Sequence, residues 1–313
     1  MVNLAFLVAA HTDVDELIRL CQKLRHYGDS YIHVDIKANA EYIDKLYRGV
    51  SMSTGKYNTH ILDNRVYVTW GGYSQLHAQE KLLEAALKND PLYDRFFYIS
   101  GLDYPLCSPD KLQLFCQENA DKELIRVYNI TKGYDYYLTT KIKYYHYFRD
   151  IHLPHKSFFR RAIIGGSKLF LKTIGVKRNP FFYVEGVKWD VYQGSQWVGL
   201  TRSCAVYVYN QLMTNKEVIN YFKTTYAPDE MVVPTIIMNS RFAREEYNLN
   251  KFNFSELAYL HYLDYRNGMY TFDENDFQKL MTSGKLFARK FNSKKSEGLI
   301  KLINQQHCNQ VDN

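Results

Sequence analysis

Four polar or aromatic residues each stand just past an apolar run. They are His11 after Leu4–Ala10, Asp35 after Tyr31–Val34, Trp70 after Val66–Val68, and Asp103 shortly after Phe96–Ile99. Loops beyond the carboxyl ends of parallel strands are where such folds gather ligand-binding groups, so these four are expected to cluster. A second acidic spot, Asp229-Glu230, directly follows Pro228. A carboxylate there can take a proton from an attacking hydroxyl, but the first turn of a helix favours acidic residues for its dipole alone. Lys290 suits phosphate as a compact charge, or, with Arg289, Lys294 and Lys295 close by, belongs simply to a solvated basic turn. Asp13-Val14-Asp15 has the Asp-x-Asp spacing of a divalent-metal site. Asp15 also completes Thr12-x-x-Asp15, a capping box for the helix that follows, and the cap is the reading preferred here. The aromatic content of 16%, with 28 Tyr, supplies faces that stack on sugar rings as readily as they fill cores.

The elements that must position these residues alternate. Leu4–Ala10 reads as a buried strand. Val14, Leu17, Ile18, Cys21 and Leu24 then recur at helical spacing. Tyr31–Asp35 reads as a strand, Glu41–Tyr47 as a helix, Ile61-Leu62 and Val66–Val68 as short strands, Ser74–Lys88 as a helix, and Phe96–Ile99 as a strand. This alternation predicts an α/β fold with a mostly parallel central sheet flanked by helices. Farther on, helices are expected from Arg202, over Asp229–Met238, over Glu274–Thr282 and in a polar tail, with a strand at Leu257–Leu263. No repeat, and no linker rich in Gly, Pro or Ser, divides the chain. Trp70 reads as buried framework, and Trp197 as framework or a sugar-stacking face.

With 313 residues, 46% of them apolar, the chain can bury a substantial core, which excludes a disordered or fibrous protein. No apolar run reaches the ~18 residues that span a bilayer. The first residues read as a strand rather than a secretion signal. Five cysteines, an odd count without C-x-x-C spacing, argue against a disulfide or zinc framework and for a reducing, cytoplasmic setting. The net charge of +7 lies in one place. Residues 151–184 hold Lys156, Arg160, Arg161, Lys168, Lys172, Lys177 and Arg178 and no Asp or Glu. That single basic feature does not suggest a nucleic-acid partner. It is interspersed with Phe158, Phe159, Ile163, Ile164, Leu169, Phe170, Leu171 and Ile174. Three readings stay open for it: peripheral contact of 156–178 with an anionic membrane, binding of an acidic polysaccharide acceptor, or a core-packed helix with solvated cations. No phosphate-binding glycine loop or Ser/His/Asp order is present.

Six segments in order resemble the branching β-1,6-N-acetylglucosaminyltransferase family, which includes the peptide O-xylosyltransferases. They are Ile32-His33-Val34-Asp35-Ile36-Lys37, Val68-Thr69-Trp70-Gly71-Gly72, Tyr98-Ile99-Ser100-Gly101-Leu102-Asp103-Tyr104-Pro105-Leu106, Gly194-Ser195-Gln196-Trp197, Ala227-Pro228-Asp229-Glu230 and Leu286-Phe287-Ala288-Arg289-Lys290-Phe291. Each is weak alone; together they cover residues 4–291. The resemblance implies an inverting, metal-independent glycosyltransferase of the GT-A fold, forming one catalytic domain over 1–313. Residues 1–125 would be its nucleotide-sugar half and 126–313 its acceptor-binding and catalytic half.

The resemblance further implies Glu230 as the base, with Asp229 capping the helix or orienting its neighbours. Lys290 and Arg266 would be the diphosphate ligands that replace a metal. Asp35, with Val8 and Tyr67, would contact the uridine. Asp103 would bind the donor sugar, or else serve as a turn carboxylate. Trp197, Tyr262 and Tyr265 would lie at the acceptor. No cofactor is expected beyond a UDP-sugar co-substrate, most readily UDP-N-acetylglucosamine. The acceptor would be a glycan or lipid-linked glycan. The absence of a Golgi-type anchor and of a disulfide framework adds the expectation of a bacterial enzyme of polysaccharide or glycoconjugate synthesis, cytoplasmic or peripheral to the inner membrane face. A xylosyl- or glucuronosyl-type transferase and a non-catalytic carbohydrate-binding protein are the alternatives.

Overall fold

The computed structural model describes residues 1–89, 92–133, 135–154, 157–266 and 268–309. It begins with strand β1 (Leu4–Ala10), helix α1 (Val14–Leu24), strand β2 (Asp29–Val34), helix α2 (Ala40–Ser51), strand β3 (Thr59–Ile61), helix α3 (Tyr73–Lys88) and strand β4 (Arg95–Ser100). β4, β1, β2 and β3 lie side by side and parallel, and Gly199–Thr201 adds an antiparallel edge beside β4. The expected α/β fold with a mostly parallel central sheet is what the chain adopts.

β1 is apolar on both faces because both are covered. Ala5 and Leu7 face a core shared with Leu76 and Leu83 of α3. Phe6, Val8 and Ala10 face a second core with Leu17, Leu20 and Leu24 of α1. A smaller sheet orders His261–Leu263, Phe287–Arg289 and Asp103–Pro105, with Arg289 opposite Asp103. The tail helix Glu297–Asn309 packs beside it through Leu299, Ile300 and Ile303. That helix is therefore amphipathic rather than merely polar, and each such buried side chain contributes roughly 1.5–3 kcal/mol.

Several local expectations change. Asp13, not Thr12, caps α1: its side chain accepts from the Glu16 N–H at 3.2 Å. The other Asp13 oxygen accepts from Asn292 Nδ2 and Ser293 N at 3.0 and 2.9 Å, and Asp15 pairs with Lys45. Both carboxylates of the Asp-x-Asp string are thus engaged in holding structure. Val66–Val68 is not a strand, because His33 Nε2 and not a neighbouring strand accepts from Val66 N–H, at 2.9 Å. The helix expected over Asp229–Met238 is split into a 3-10 turn, Pro228–Glu230, and a helix, Val232–Met238. Leu257–Leu263 is likewise divided, into the short helix Phe254–Leu257 and the strand His261–Leu263. The basic segment forms helix Phe158–Thr173, but it is not packed into the core: only Arg160 is buried along it. Lys156 lies outside the described residues. Among the described residues no helix is long and apolar enough to cross a membrane.

Candidate active site

The carboxyl ends of β1, β2 and β4 open into a cleft of about 690 Å³, lined by His11, Asp35 and Ser100 at those ends. This is the size of a small-ligand site, and its place in the sheet is the one expected for a ligand. Tyr67, Trp70, Trp197, Glu230, Tyr265 and Arg289 also line it.

One wall follows β2. Asp35 is buried, and its carboxylate is bridged by Lys37 Nζ at 3.0 Å and by the Lys37 N–H at 3.0 Å. The Lys37 ammonium also sits 4.6 Å above the Tyr67 ring, which stacks on His152 at 4.1 Å. Asp35 is thus paired with Lys37 and still placed at the cleft, not solvated in a loop. Burial pushes the His33 pKa down to about 4, which fits its Nε2 accepting from Val66 N–H and holding the approach to Tyr67. Val8 does not reach the cleft. Its side chain points into the α1 core, while Leu7 and Ala9 on the opposite face of β1 line the opening.

A second wall carries the cations. Asp103 is fully buried and so cannot touch a sugar. Its oxygens accept from His261 Nε2 at 2.9 Å, from an Arg289 Nη at 2.9 Å and from Ser100 N–H at 2.7 Å. Burial alone would raise this carboxyl, but His261 and Arg289 outweigh burial and hold it below the usual carboxylate range. The held Arg289 guanidinium faces the cleft and lies 5.2 Å from the centre of the Trp197 ring. Lys290, the next residue, is not among the residues that line the cleft. Burial and then the Arg289 charge lower the Lys290 pKa, with Asp13 opposing. Burial and Arg289 likewise lower His11, with Lys290 and Lys37 adding and Asp35 opposing. This positive field is suited to an anion.

Arg266, expected at this place, lies off the cleft. Its guanidinium is held by Asp264 at 2.9 Å and lies over the Tyr270 ring at 4.0 Å. Tyr262 is also turned away, packing on Phe272 because it alternates with His261 and Leu263 on their strand.

The third wall holds Glu230. Its Oε2 accepts from Lys141 Nζ at 2.9 Å and Gln193 Nε2 at 3.0 Å. Oε1 has no hydrogen-bond partner among the described residues, and the side chain is 29% exposed, enough to meet a ligand. The turn beneath is constrained. Ala227 has φ 51°, in the left-handed region, and its N–H donates to Gly71 O at 3.1 Å. Gly71 has φ +72°, and a Cβ there would meet the Tyr226 ring at 2.6 Å. The Trp70 loop and the Glu230 turn are thereby fixed to each other. Asp229 makes no helix cap. It is buried, accepts from Gln75 Nε2 at 3.2 Å, and its pKa is raised by burial and by the Glu230 charge. Trp70 is 59% exposed at the cleft, edge-on to Tyr226, not the buried framework expected. Trp197 is mostly buried but reaches the lining. Tyr265 lies within reach of both walls: burial and the Glu230 charge push its hydroxyl up to about 12, against Arg289.

The cleft therefore unites Asp35, Tyr67, Trp197, Tyr265 and Glu230. It adds Lys37, Lys141, Gln193 and Arg289, which sequence reasoning did not assign. Arg289 had a signal, its place beside Lys290. Lys141 had none. Among the described residues no three His, Cys, Asp or Glu side chains are placed to hold a metal ion together.

Residues 4–270 match the profile of the family described as Branch: Core-2/I-Branching enzyme. A xylosyltransferase of Ciona intestinalis is 23% identical over 324 residues, covering 99% of this chain and 34% of its own. Xylosyltransferase 2 of Rattus norvegicus is 25% identical over 324 residues, covering 97% of this chain and 33% of its own. The chain spans about a third of the length of the curated relatives it matches. Core-mannan synthase A (CmsA/Ktr4) of Aspergillus fumigatus, solved in its Mn/GDP-form, overlays with a TM-score of 0.36 and 10% identity, covering 78% of this chain and 71% of its own. That likeness is too slight to bear on fold, ligand or metal.

Proposed function

We propose, on the premise that this chain belongs to the Core-2/I-Branching enzyme family, that its cleft binds a UDP-sugar and transfers the sugar, with inversion, to a hydroxyl of a glycan. The observation that carries this reading is a tethered carboxylate, Glu230, facing the same cleft as a guanidinium, Arg289, fixed by a buried acid.

Glu230 Oε1 takes the proton from the acceptor hydroxyl as its oxygen bonds to the anomeric carbon. The bond from that carbon to the diphosphate oxygen breaks, and UDP leaves with its growing charge met by Arg289 and Lys290. One displacement from the opposite face inverts the centre. On this reading fixed cations do the work a metal does elsewhere, on a GT-A scaffold. Asp35 and Tyr67 meet the nucleoside, and Trp70, Trp197 and Tyr265 meet sugar faces. Residues 1–125 then supply the nucleoside wall, and 126–313 the base, the diphosphate cations and the acceptor surface.

The donor sugar is read as N-acetylglucosamine from the branching-enzyme motifs. Xylose is the second reading, favoured by the xylosyltransferase relatives. The test is UDP release from UDP-N-acetylglucosamine, UDP-xylose and UDP-glucuronate, with a panel of glycans and with EDTA. The reading expects acceptor-dependent release from one donor, undiminished by chelator. Loss of all turnover in EDTA, restored by manganese, would overturn the metal-free mechanism. Failure of every donor to bind would overturn the reading itself.

A further inference from the structure

Helix Phe158–Thr173 turns its apolar side away from the protein. Successive residues of a helix step by about 100°, which divides this one into three stripes. Arg160, Ile164, Ser167 and Leu171 face the body: Arg160 is buried with its guanidinium on Arg149 O at 2.8 Å, and the others are half-buried. A broad second stripe carries Phe158, Phe159, Ile163, Leu169 and Phe170 and continues to Ile174, and all six are exposed. Phe158 and Phe159 are 72% and 71% open to solvent. Gly166 lies within that stripe, and a Cβ there would meet nothing within 4 Å. A third stripe holds Arg161, Lys168 and Lys172, all exposed.

A helix that serves only its own fold buries its apolar stripe and exposes its charges. Here an arginine goes inward and phenylalanines go outward. An exposed apolar face rimmed by cations marks a surface that meets something else. The charge says what. Residues 151–184 carry seven cations and no acid, so a second copy of this chain would bring like charge against like. An anionic bilayer matches both features at once, with acyl chains for the apolar stripe and headgroups for the basic one.

We propose that this helix seats the protein on an anionic lipid bilayer, lying in the interface with Phe158, Phe159, Leu169 and Phe170 inserted and Arg161, Lys168 and Lys172 at the headgroups. Leu153 and Pro154, just before the helix, line the catalytic cleft, so the seat lies at the cleft's rim. Together with the transferase reading, on which this step alone rests, the placement favours an acceptor glycan carried on a lipid. Attachment itself is measured without turnover.

The experiment is co-sedimentation of the full chain with vesicles of phosphatidylcholine alone, or with about a third phosphatidylglycerol. The expected result is binding to the anionic vesicles only, weakening as salt rises. Phe159→Glu with Phe170→Glu should lower binding at least ~10-fold, and Arg161→Glu or Lys172→Glu about 5-fold each. The melting temperature and the thermal shift caused by UDP should not change in these variants, since their side chains touch no core. Equal binding to neutral vesicles, no binding, or variants that bind like the parent would overturn the proposal. So would a dimer dispersed by Phe159→Glu, which would make the face a subunit interface. Loss of the UDP shift in the parent would instead count against the transferase reading and leave the membrane seat standing.

Discussion

The two charged walls of the cleft are built differently. Arg289 ends a strand, and its partner Asp103 begins the strand beside it, in register and fully buried with His261. Glu230 sits on a three-residue turn and is held by Lys141 from the short helix Tyr136–Lys143 and by Gln193 from a two-residue strand. The cation wall is therefore part of the fold's stability, whereas the carboxylate wall is an assembly of short elements whose disturbance, on the proposed reading, touches chemistry more than folding. Sheet-borne sites tolerate little, and loop-borne sites can be retuned.

The sharpest way to break that contrast is Asp103→Ala. It strips a buried ion network of its only acid and should destabilise the protein by about 3–5 kcal/mol in denaturant unfolding. A loss below about 1 kcal/mol would mean that the wall is not held by this carboxylate. Lys141→Met on the opposite wall should behave oppositely. Turnover should fall ~10- to 100-fold while UDP affinity stays within about twofold, because the base is no longer held in place. An equal loss of UDP affinity would erase the distinction between the walls. Arg289→Ala should instead weaken UDP binding about 10-fold or more.

How much of this was legible depended on whether a residue's position followed from strand periodicity. Asp35 stands just past a strand and lies at the cleft, whereas Tyr67, named only by the resemblance, reaches the cleft from a segment that is not a strand. The same periodicity would have excluded Val8 and Tyr262, which lie on strand faces turned away from the cleft. Arg266 enters only through the resemblance, and Arg289 only as a neighbour of Lys290, because either arginine could serve an anion. Only the register that sets Arg289 opposite Asp103 decides between them. Lys141 and Gln193 come from short elements in the aromatic stretch after residue 128, and no local pattern announces a contact spanning 89 residues. The outward apolar face of Phe158–Thr173 was readable as a pattern, but its direction was not.

The carboxylate wall and the wall along β2 should share one weakness. His33 backs the wall of Asp35 and Tyr67, and His146 lies 5.6 Å from Tyr226 behind the carboxylate wall. Burial lowers both from 6.5 to about 4. A histidine depressed in the folded state adds stability above its unfolded pKa, and that stability is lost as pH falls through the folded one. Unfolding free energy should thus decline between pH 6.5 and 4 by on the order of 3 kcal/mol per histidine. His33→Gln should flatten part of that slope, and an unchanged slope would remove His33 from the account.

The central claim is tested most directly by Glu230→Gln, measuring sugar transfer and UDP affinity on the same preparation. The account predicts turnover down by ~10²–10⁴-fold with the UDP dissociation constant unchanged, since the amide keeps the shape and loses the proton acceptor. Transfer at the parent's rate would contradict it.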